Sequence, residues 1–185
     1  MMIKGSIKKS ICGSVSVSDT LSSDNTSGHS SGVFRKRALN DIVISRAGFS
    51  RLIGLDVYVN GSFLNAYEGD GIIISTPTGS TGYNLSAGGP IVDPMAKLMI
   101  ITPVCPHSLT SKSIVLPSDA NVSIAIAKKR KTQDTEAIVS FDGGNDYELS
   151  AGDVLDICTS QRTTKLIKAS DVNFYEILRN KLGSK

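Results

Sequence analysis

The residues of this chain best suited to chemistry lie in one run, Asp70 to Pro90, with the sequence DGIIISTPTGSTGYNLSAGGP. A short apolar stretch, Ile72-Ile73-Ile74, gives way at once to small and hydroxylated residues from Ser75 to Tyr83. Small side chains let a backbone come close to a ligand, glycine reaches conformations closed to other residues, and each hydroxyl both donates and accepts. A helix starting near Gly79 would add free N–H groups suited to phosphate or ribose oxygens. Tyr83 offers a flat apolar ring with a polar tip, a shape that packs on a ribose or a base. The same run also reads as an ordinary Ser/Thr/Gly-rich connection between a strand and a helix. It is not a Walker loop, because GxxxxGK[ST] is absent, and Gly69-Asp70-Gly71 does not supply the three-glycine dinucleotide fingerprint.

A loop of this kind needs a rigid frame, and the flanking sequence is written in strands. Ile42-Val43-Ile44 fits a buried strand, and Ile53, Leu55, Val57 and Val59 fall on one face of residues 53–59. Asn60-Gly61 then gives the strongest short hairpin signal, since a type I′ turn needs positive φ at both central residues, and 62–67 is the return strand. Ile72-Ile73-Ile74 reads as a strand buried on both faces. Further strands are expected within 2–11 and over 98–102, 113–116, 121–127, 136–141, 154–158 and 163–168, separated by turn residues such as Asp142-Gly143-Gly144-Asn145. Residues 18–32, SDTLSSDNTSGHSSG, carry too little apolar content to offset the entropy of ordering and read as a flexible loop, with ordered sequence resuming at Ala38. Near the end, Phe174, Ile177, Leu178 and Leu182 recur at helical spacing from Asn173, and Gly183 is a stop. The expected fold is mainly β: one layered, sandwich-like domain closed by a short C-terminal helix.

Bulk composition narrows the function. With 40% hydrophobic and 20% charged residues the chain has a globular balance, and 185 residues suffice for one domain. A net charge of +3 is too small for a nucleic-acid footprint, and the basic run Lys128 to Lys131 reads as a solvated turn. Cys12, Cys105 and Cys158 are isolated and odd in number, so buried thiols in a reducing compartment are the simplest reading, with no zinc set. No apolar run approaches the ~18 residues of a membrane span, and Met1 to Gly5 opens no secretory leader. A cytoplasmic protein without nucleic-acid or membrane partners follows.

Several motifs in order resemble one family. TPTGSTGYNLSAGGP, residues 76–90, is similar to the TPTGSTAY signature of NAD kinases, with Gly82 where alanine is usual. Asn40-Asp41 in ALNDIVISR resembles the family's Asn-Glu/Asp pair upstream. Pro106-His107-Ser108-Leu109 with Ile114-Val115-Leu116-Pro117 resembles its PHSL…VLP segment, Asp142-Gly143 its late Asp-Gly turn, and LRNKLG at 178–183 its closing helix. The resemblance extends from about residue 1 to 183 with an interruption at 18–32. It implies the C-terminal, NAD-binding domain of the NAD kinase/diacylglycerol kinase-like fold. Members transfer the γ-phosphate of ATP, with a divalent metal such as magnesium, or of polyphosphate, to the 2′-hydroxyl of the NAD adenosine ribose. Carried over by match, Asn40 and Asp41 hold the adenosine end, and Asp70 faces the nicotinamide end. Thr78, Thr81, Gly82, Tyr83, Asn84 and Ser86 surround the dinucleotide. Arg51 reads equally as a phosphate contact or a surface charge. Taken singly, Asn40 and Asp70 also read as turn residues, and His107 as a loop packer. Members form homodimers or tetramers in which subunits complete each other's sites.

The sequence departs from the family where catalysis is centred. No GGDGT run, whose aspartate is the proposed base, occurs in it. Met1 to Gly5 resembles the strand that opens the C-terminal domain, so the α/β domain that handles ATP is expected to lie outside this sequence, which reads as a truncated gene, a split enzyme needing a partner chain, or an excised domain. Gly144 stands where glutamine is common, and Glu68 where a basic residue is frequent. The expectation is an NAD kinase by descent whose isolated chain binds NAD weakly and transfers phosphate negligibly. A non-catalytic NAD-binding or assembly module is the alternative. A lipid kinase of the diacylglycerol type is disfavoured by the TPTGST loop and Asn40-Asp41.

Overall fold

In the computed structural model, residues 1–8, 34–48, 52–108, 111–128, 137–165, 167 and 172–183 are described. The loop expected at 18–32, the Arg51 candidate, Cys12 and most of the basic run after Lys128 lie outside them. Twelve strands are assigned among the described residues, and they form two antiparallel sheets of six. The first sheet contains β1 (Ile3–Lys8), β2 (Phe34–Ala38), β4 (Ile53–Val59), β5 (Ser62–Gly69), β9 (Val122–Ile126) and β12 (Val154–Thr159), in the order β2-β1-β12-β9-β4-β5. The second contains β3 (Asp41–Arg46), β6 (Gly71–Ser75), β7 (Leu98–Val104), β8 (Ile114–Pro117), β10 (Ala137–Phe141) and β11 (Gly144–Leu149), in the order β11-β10-β3-β6-β7-β8.

Period-two patterning builds the sandwich. Ile3 and Ile7 of β1, Leu55 and Val57 of β4, and Ile124 of β9 meet Ile42, Ile44, Ile72, Ile74, Ile101 and Val139 of the other sheet in one core. The central strands of the second sheet are buried on both faces: Ile73 and Ile100 point away from that core and are still 0% exposed. Thr102, on the same outer face, meets Asn84, so the segment after β6 folds back over this side of the sheet. That covering segment holds a 3-10 turn, Thr78–Thr81, and a one-turn helix, α1 (Tyr83–Ser86). A second helix, α2 (Phe174–Leu182), begins at Asn173, whose side chain accepts the Glu176 N–H at 2.9 Å as an N-cap. Among the described residues no helix is long and apolar enough to cross a membrane.

The mainly β, layered fold with a short final helix is the expected one, and Asn60-Gly61 makes its turn with φ of 51° and 81°. Cys105, expected as a buried thiol, is exposed and Cys158 is half-buried, and three strand details differ. Residues 163–165 and 167 form no strand, and Ile167 is 94% exposed. The run RTTKLIK places its two apolar residues side by side, so it has no single face to bury. β2 was not foreseen because FRKRA reads as polar; it pairs with β1 at a sheet edge, where Arg35 and Arg37 stay exposed and Lys36 lies over the Phe141 and Tyr147 rings at 5.8 and 5.6 Å. β11 was hidden because Asp142-Gly143-Gly144-Asn145 reads as a turn throughout. The turn proper is Asp142-Gly143, with φ of 53° and 71°, and pairing already resumes at Phe141↔Gly144.

Candidate functional site

β3 and β6 run antiparallel with Asp41 opposite Ser75, so the start of one strand lies beside the end of the other. Here two segments far apart in sequence interlock. The Thr76 N–H donates to the Asn40 carbonyl at 2.8 Å, and the Thr76 hydroxyl donates to the Leu39 carbonyl at 2.7 Å. The same hydroxyl accepts the Gly79 N–H at 3.1 Å. Gly79 must be glycine, because a Cβ there would penetrate the Asn40 carbonyl and stand 2.8 Å from its Cα. The expected N–H cradle near Gly79 is therefore altered: the first amides of the loop hold the loop, and the helical pieces are single turns rather than one helix.

A third segment grips the same place. Asp142, in the β10–β11 turn, accepts the Leu39 N–H on Oδ2 at 2.8 Å, and the Asn40 and Asp41 N–H groups on Oδ1 at 2.7 and 3.2 Å. Its own N–H donates to the Asp41 carbonyl at 3.0 Å. With its backbone bonded on both sides, Asn40 keeps its side chain at an exposed position. Asp41 is 6% exposed, and burial, followed by the negative charge of Asp142, pushes its carboxyl above the ordinary aspartate value.

The covering segment is pinned from beneath. Ser80 is buried; its hydroxyl donates to the Pro77 carbonyl at 2.7 Å and accepts the Val92 N–H at 3.1 Å. Asn84 is 0% exposed, and its Nδ2 donates to the Ser80 and Pro90 carbonyls at 3.1 and 3.0 Å. Its Oδ1 accepts the Thr102 hydroxyl at 2.7 Å, and a Cβ on Gly89 would run into its amide. What this bracket leaves at the surface is Thr81, Gly82, Tyr83 and Ser86, with Thr78 half-buried and Tyr83 49% exposed. The result is a hydroxyl- and glycine-lined rim with one open aromatic ring beside an exposed amide and a buried acid, a surface able to receive a polar ring system bearing hydroxyls.

Of the residues singled out in the sequence, the fold brings Asn40, Asp41, Thr78, Thr81, Gly82, Tyr83 and Ser86 to this end of the sheet. It places Asn84 beneath them rather than among the exposed groups. Asp70 lies at the other end of β6. The ladder from Asp41↔Ser75 to Ser45↔Gly71 is four residues long, or ~13 Å at the usual strand rise. There the Asp70 carboxylate pairs with Arg46 Nε at 2.8 Å. His107 also belongs to that end: its N–H donates to the Glu68 carbonyl at 2.7 Å, and it lines a groove with Tyr67, Glu68, Ser111 and Lys112. The sequence reading missed the anchoring roles of Asp142, Thr76, Ser80 and Thr102. Asp142 carried a signal as an Asp-Gly turn after the strand expected at 136–141, and Thr76 and Ser80 as members of the small, hydroxylated run.

Comparison with known proteins bears on the same residues. A family model for the ATP-NAD kinase C-terminal domain matches residues 39–169. An NAD kinase of Lachnoclostridium phytofermentans is 50% identical over 158 residues, covering 85% of this chain and 55% of that protein. One from Agathobacter rectalis is 51% identical over 158 residues, covering 85% and 56%. The chain thus spans little more than half the length of these relatives. Among solved structures, a yeast NADH kinase in complex with NADH superposes with a TM-score of 0.68 at 30% identity, covering 85% of this chain and 39% of that one. An NAD kinase from Archaeoglobus fulgidus in complex with ATP gives 0.60 at 30% identity, covering 68% and 46%. The matched segment holds Asn40-Asp41, the loop after β6 and the Asp142 turn, and through it this chain belongs to the NAD kinase family as that family's C-terminal domain.

Proposed function

We propose that this chain is the dinucleotide-binding part of an NAD kinase, which phosphorylates the 2′-hydroxyl of the NAD adenosine ribose. The observation that carries the reading is the interlock of Leu39-Asn40 with Thr76 and Gly79, which sets an exposed amide beside the Thr81–Tyr83 rim. Asn40 reads polar groups of the adenosine, Asp41 accepts from a ribose hydroxyl, and Tyr83 packs against a ring face. Thr78, Thr81, Gly82 and Ser86 line the remainder. Asn84 acts from below by holding this rim in place. Asp70, five residues and so ~16 Å from Ser75 along β6, reaches a nicotinamide end most simply from a neighbouring copy, so the active form is a homodimer or tetramer.

Phosphoryl transfer also needs charge neutralisation and a group that orients the attacking hydroxyl. Among the described residues no three His, Cys, Asp or Glu side chains converge on a metal position, and the sequence has no GGDGT run. Magnesium travels with ATP and takes only one or two protein carboxylates beside the phosphates, and no catalytic step is assigned to these residues. Donor handling belongs to the family's N-terminal segment, in the same protein or supplied by another chain, and the reaction takes place in the cytoplasm. The exposed rim of Thr81, Gly82 and Tyr83 would equally serve a second reading, an NAD-binding and assembly module without chemistry. Formation of NADP from NAD, ATP and magnesium decides between them. The purified 185-residue chain is expected to bind NAD saturably and to turn over negligibly, with activity appearing once a GGDGT-bearing segment is supplied. Robust turnover by the chain alone would refute this assignment of roles.

A further inference from the structure

We infer that Asp142 is a positioning residue for the nucleotide site: its carboxylate fixes the Leu39–Asp41 peptides and so aims the Asn40 side chain across the rim. The inference rests on the NAD-binding reading but concerns a residue which that reading leaves without a role. Three consecutive backbone N–H groups point at one side chain, at 2.8, 2.7 and 3.2 Å, and the Asp142 N–H returns a bond to the Asp41 carbonyl at 3.0 Å. Bonds to an ionised acceptor are short and roughly twice as strong as neutral ones. Leu39 and Asn40 precede β3, so no strand ladder fixes their N–H groups. On the carbonyl side they are held by Thr76, as described. The Asn40 backbone is therefore clamped between two segments, and only its side chain is left free to turn. Asp142 also lies at φ 53°, a conformation that glycine and asparagine adopt readily. That coincidence separates two explanations of why an aspartate stands here, since glycine preserves the turn and deletes the clamp. Asparagine preserves the turn and one acceptor oxygen, and it turns an NH2 group toward the Leu39 N–H.

The test uses the full chain with wild-type residue, Asp142→Gly and Asp142→Asn. It reads thermal unfolding, amide hydrogen exchange at residues 39–41, and NAD affinity by calorimetry. The clamp predicts that Asp142→Gly folds, that amides 39–41 exchange at least tenfold faster, and that NAD binds at least tenfold more weakly. Asp142→Asn is expected to fall between the two for both readouts. If Asp142 serves only the turn, both variants keep wild-type protection and wild-type affinity, and the inference is overturned. It is equally overturned if protection falls while affinity is unchanged. Should the wild-type chain fail to bind NAD, the nucleotide reading fails and the clamp loses its purpose, an outcome distinct from a binding-competent chain indifferent to position 142.

Discussion

Replacing Asn84 with alanine separates a group that touches ligand from one that holds the ligand's platform. The side chain is 0% exposed and makes three hydrogen bonds, to Ser80, Pro90 and Thr102. At ~1 kcal/mol net for each, its removal costs about 3 kcal/mol, to which the groups left buried without partners add. For a domain of this size that corresponds to a fall in Tm of roughly 6–12 °C. The Thr102 hydroxyl has two side-chain neighbours, Asn84 and the Ser113 hydroxyl at 3.0 Å, so Thr102→Val removes fewer bonds than Asn84→Ala and costs less, and a double-mutant cycle of the two is expected to show a coupling of about 1 kcal/mol. Thermal and urea unfolding provide the stabilities, and NAD titration below the lowered Tm provides the affinities. The reasoning is refuted if Asn84→Ala unfolds within ~0.5 kcal/mol of wild type yet binds NAD far more weakly, for the amide would then be a contact group and not a brace.

Gly79→Ala drives a methyl group into the Asn40 backbone, which cannot swing aside; a loss of about 1–3 kcal/mol and weaker NAD binding are expected from the same two assays. Gly82→Ala brings its Cβ no closer than 3.3 Å to the Gly79 carbonyl and should stay within ~0.5 kcal/mol of wild type. Tyr83→Ala, at a ring 49% exposed, should leave stability nearly unchanged while costing about 1–3 kcal/mol of binding to a stacked ring, measured by calorimetry. Asp41 has a folded-state pKa above its ordinary value of 3.8, so the fold binds its proton more tightly than the unfolded chain does. The stabilisation linked to this group is present at acid pH and lost as pH rises through the folded value. Urea titrations should therefore find Asp41→Asn at least as stable as wild type at neutral pH, with that advantage vanishing as the pH falls toward 3.8. NAD affinity should nevertheless drop about tenfold, through loss of a charged acceptor.

Strands that alternate in sequence alternate in space, which is why β4 and the Asn60-Gly61 turn were legible in advance. The C-terminal helix was visible for a similar reason, since its apolar spacing and Asn173 cap are local features. β2 and β11 were not, because Arg35, Lys36 and Arg37 mask the buried core residue Ala38, and Tyr147 and Leu149 follow a Gly-Asn-Asp opening that reads as a turn. The chemical surface was legible as a set of small and hydroxylated residues, but not as an arrangement. Thr76, Thr78, Ser80 and Thr81 look equivalent on paper. In space Thr76 and Ser80 are consumed in bracing, and Thr78 and Thr81 are what the brace presents. Asp70 shows the converse limit: it is six positions from Thr76, and the rise of a strand takes it to the opposite end of the sheet.

The grip on Leu39–Asp41 joins residues 37 and 102 positions apart, and this bears on when the site exists at all. Contacts so distant in the chain cannot form ahead of the ladders that carry them. A collapsed intermediate with its sheets half assembled would have the strands of this protein but no receptor. A ligand bound here should accordingly raise the midpoint of the whole unfolding transition, by mass action on the native state, without rescuing any smaller piece of the chain.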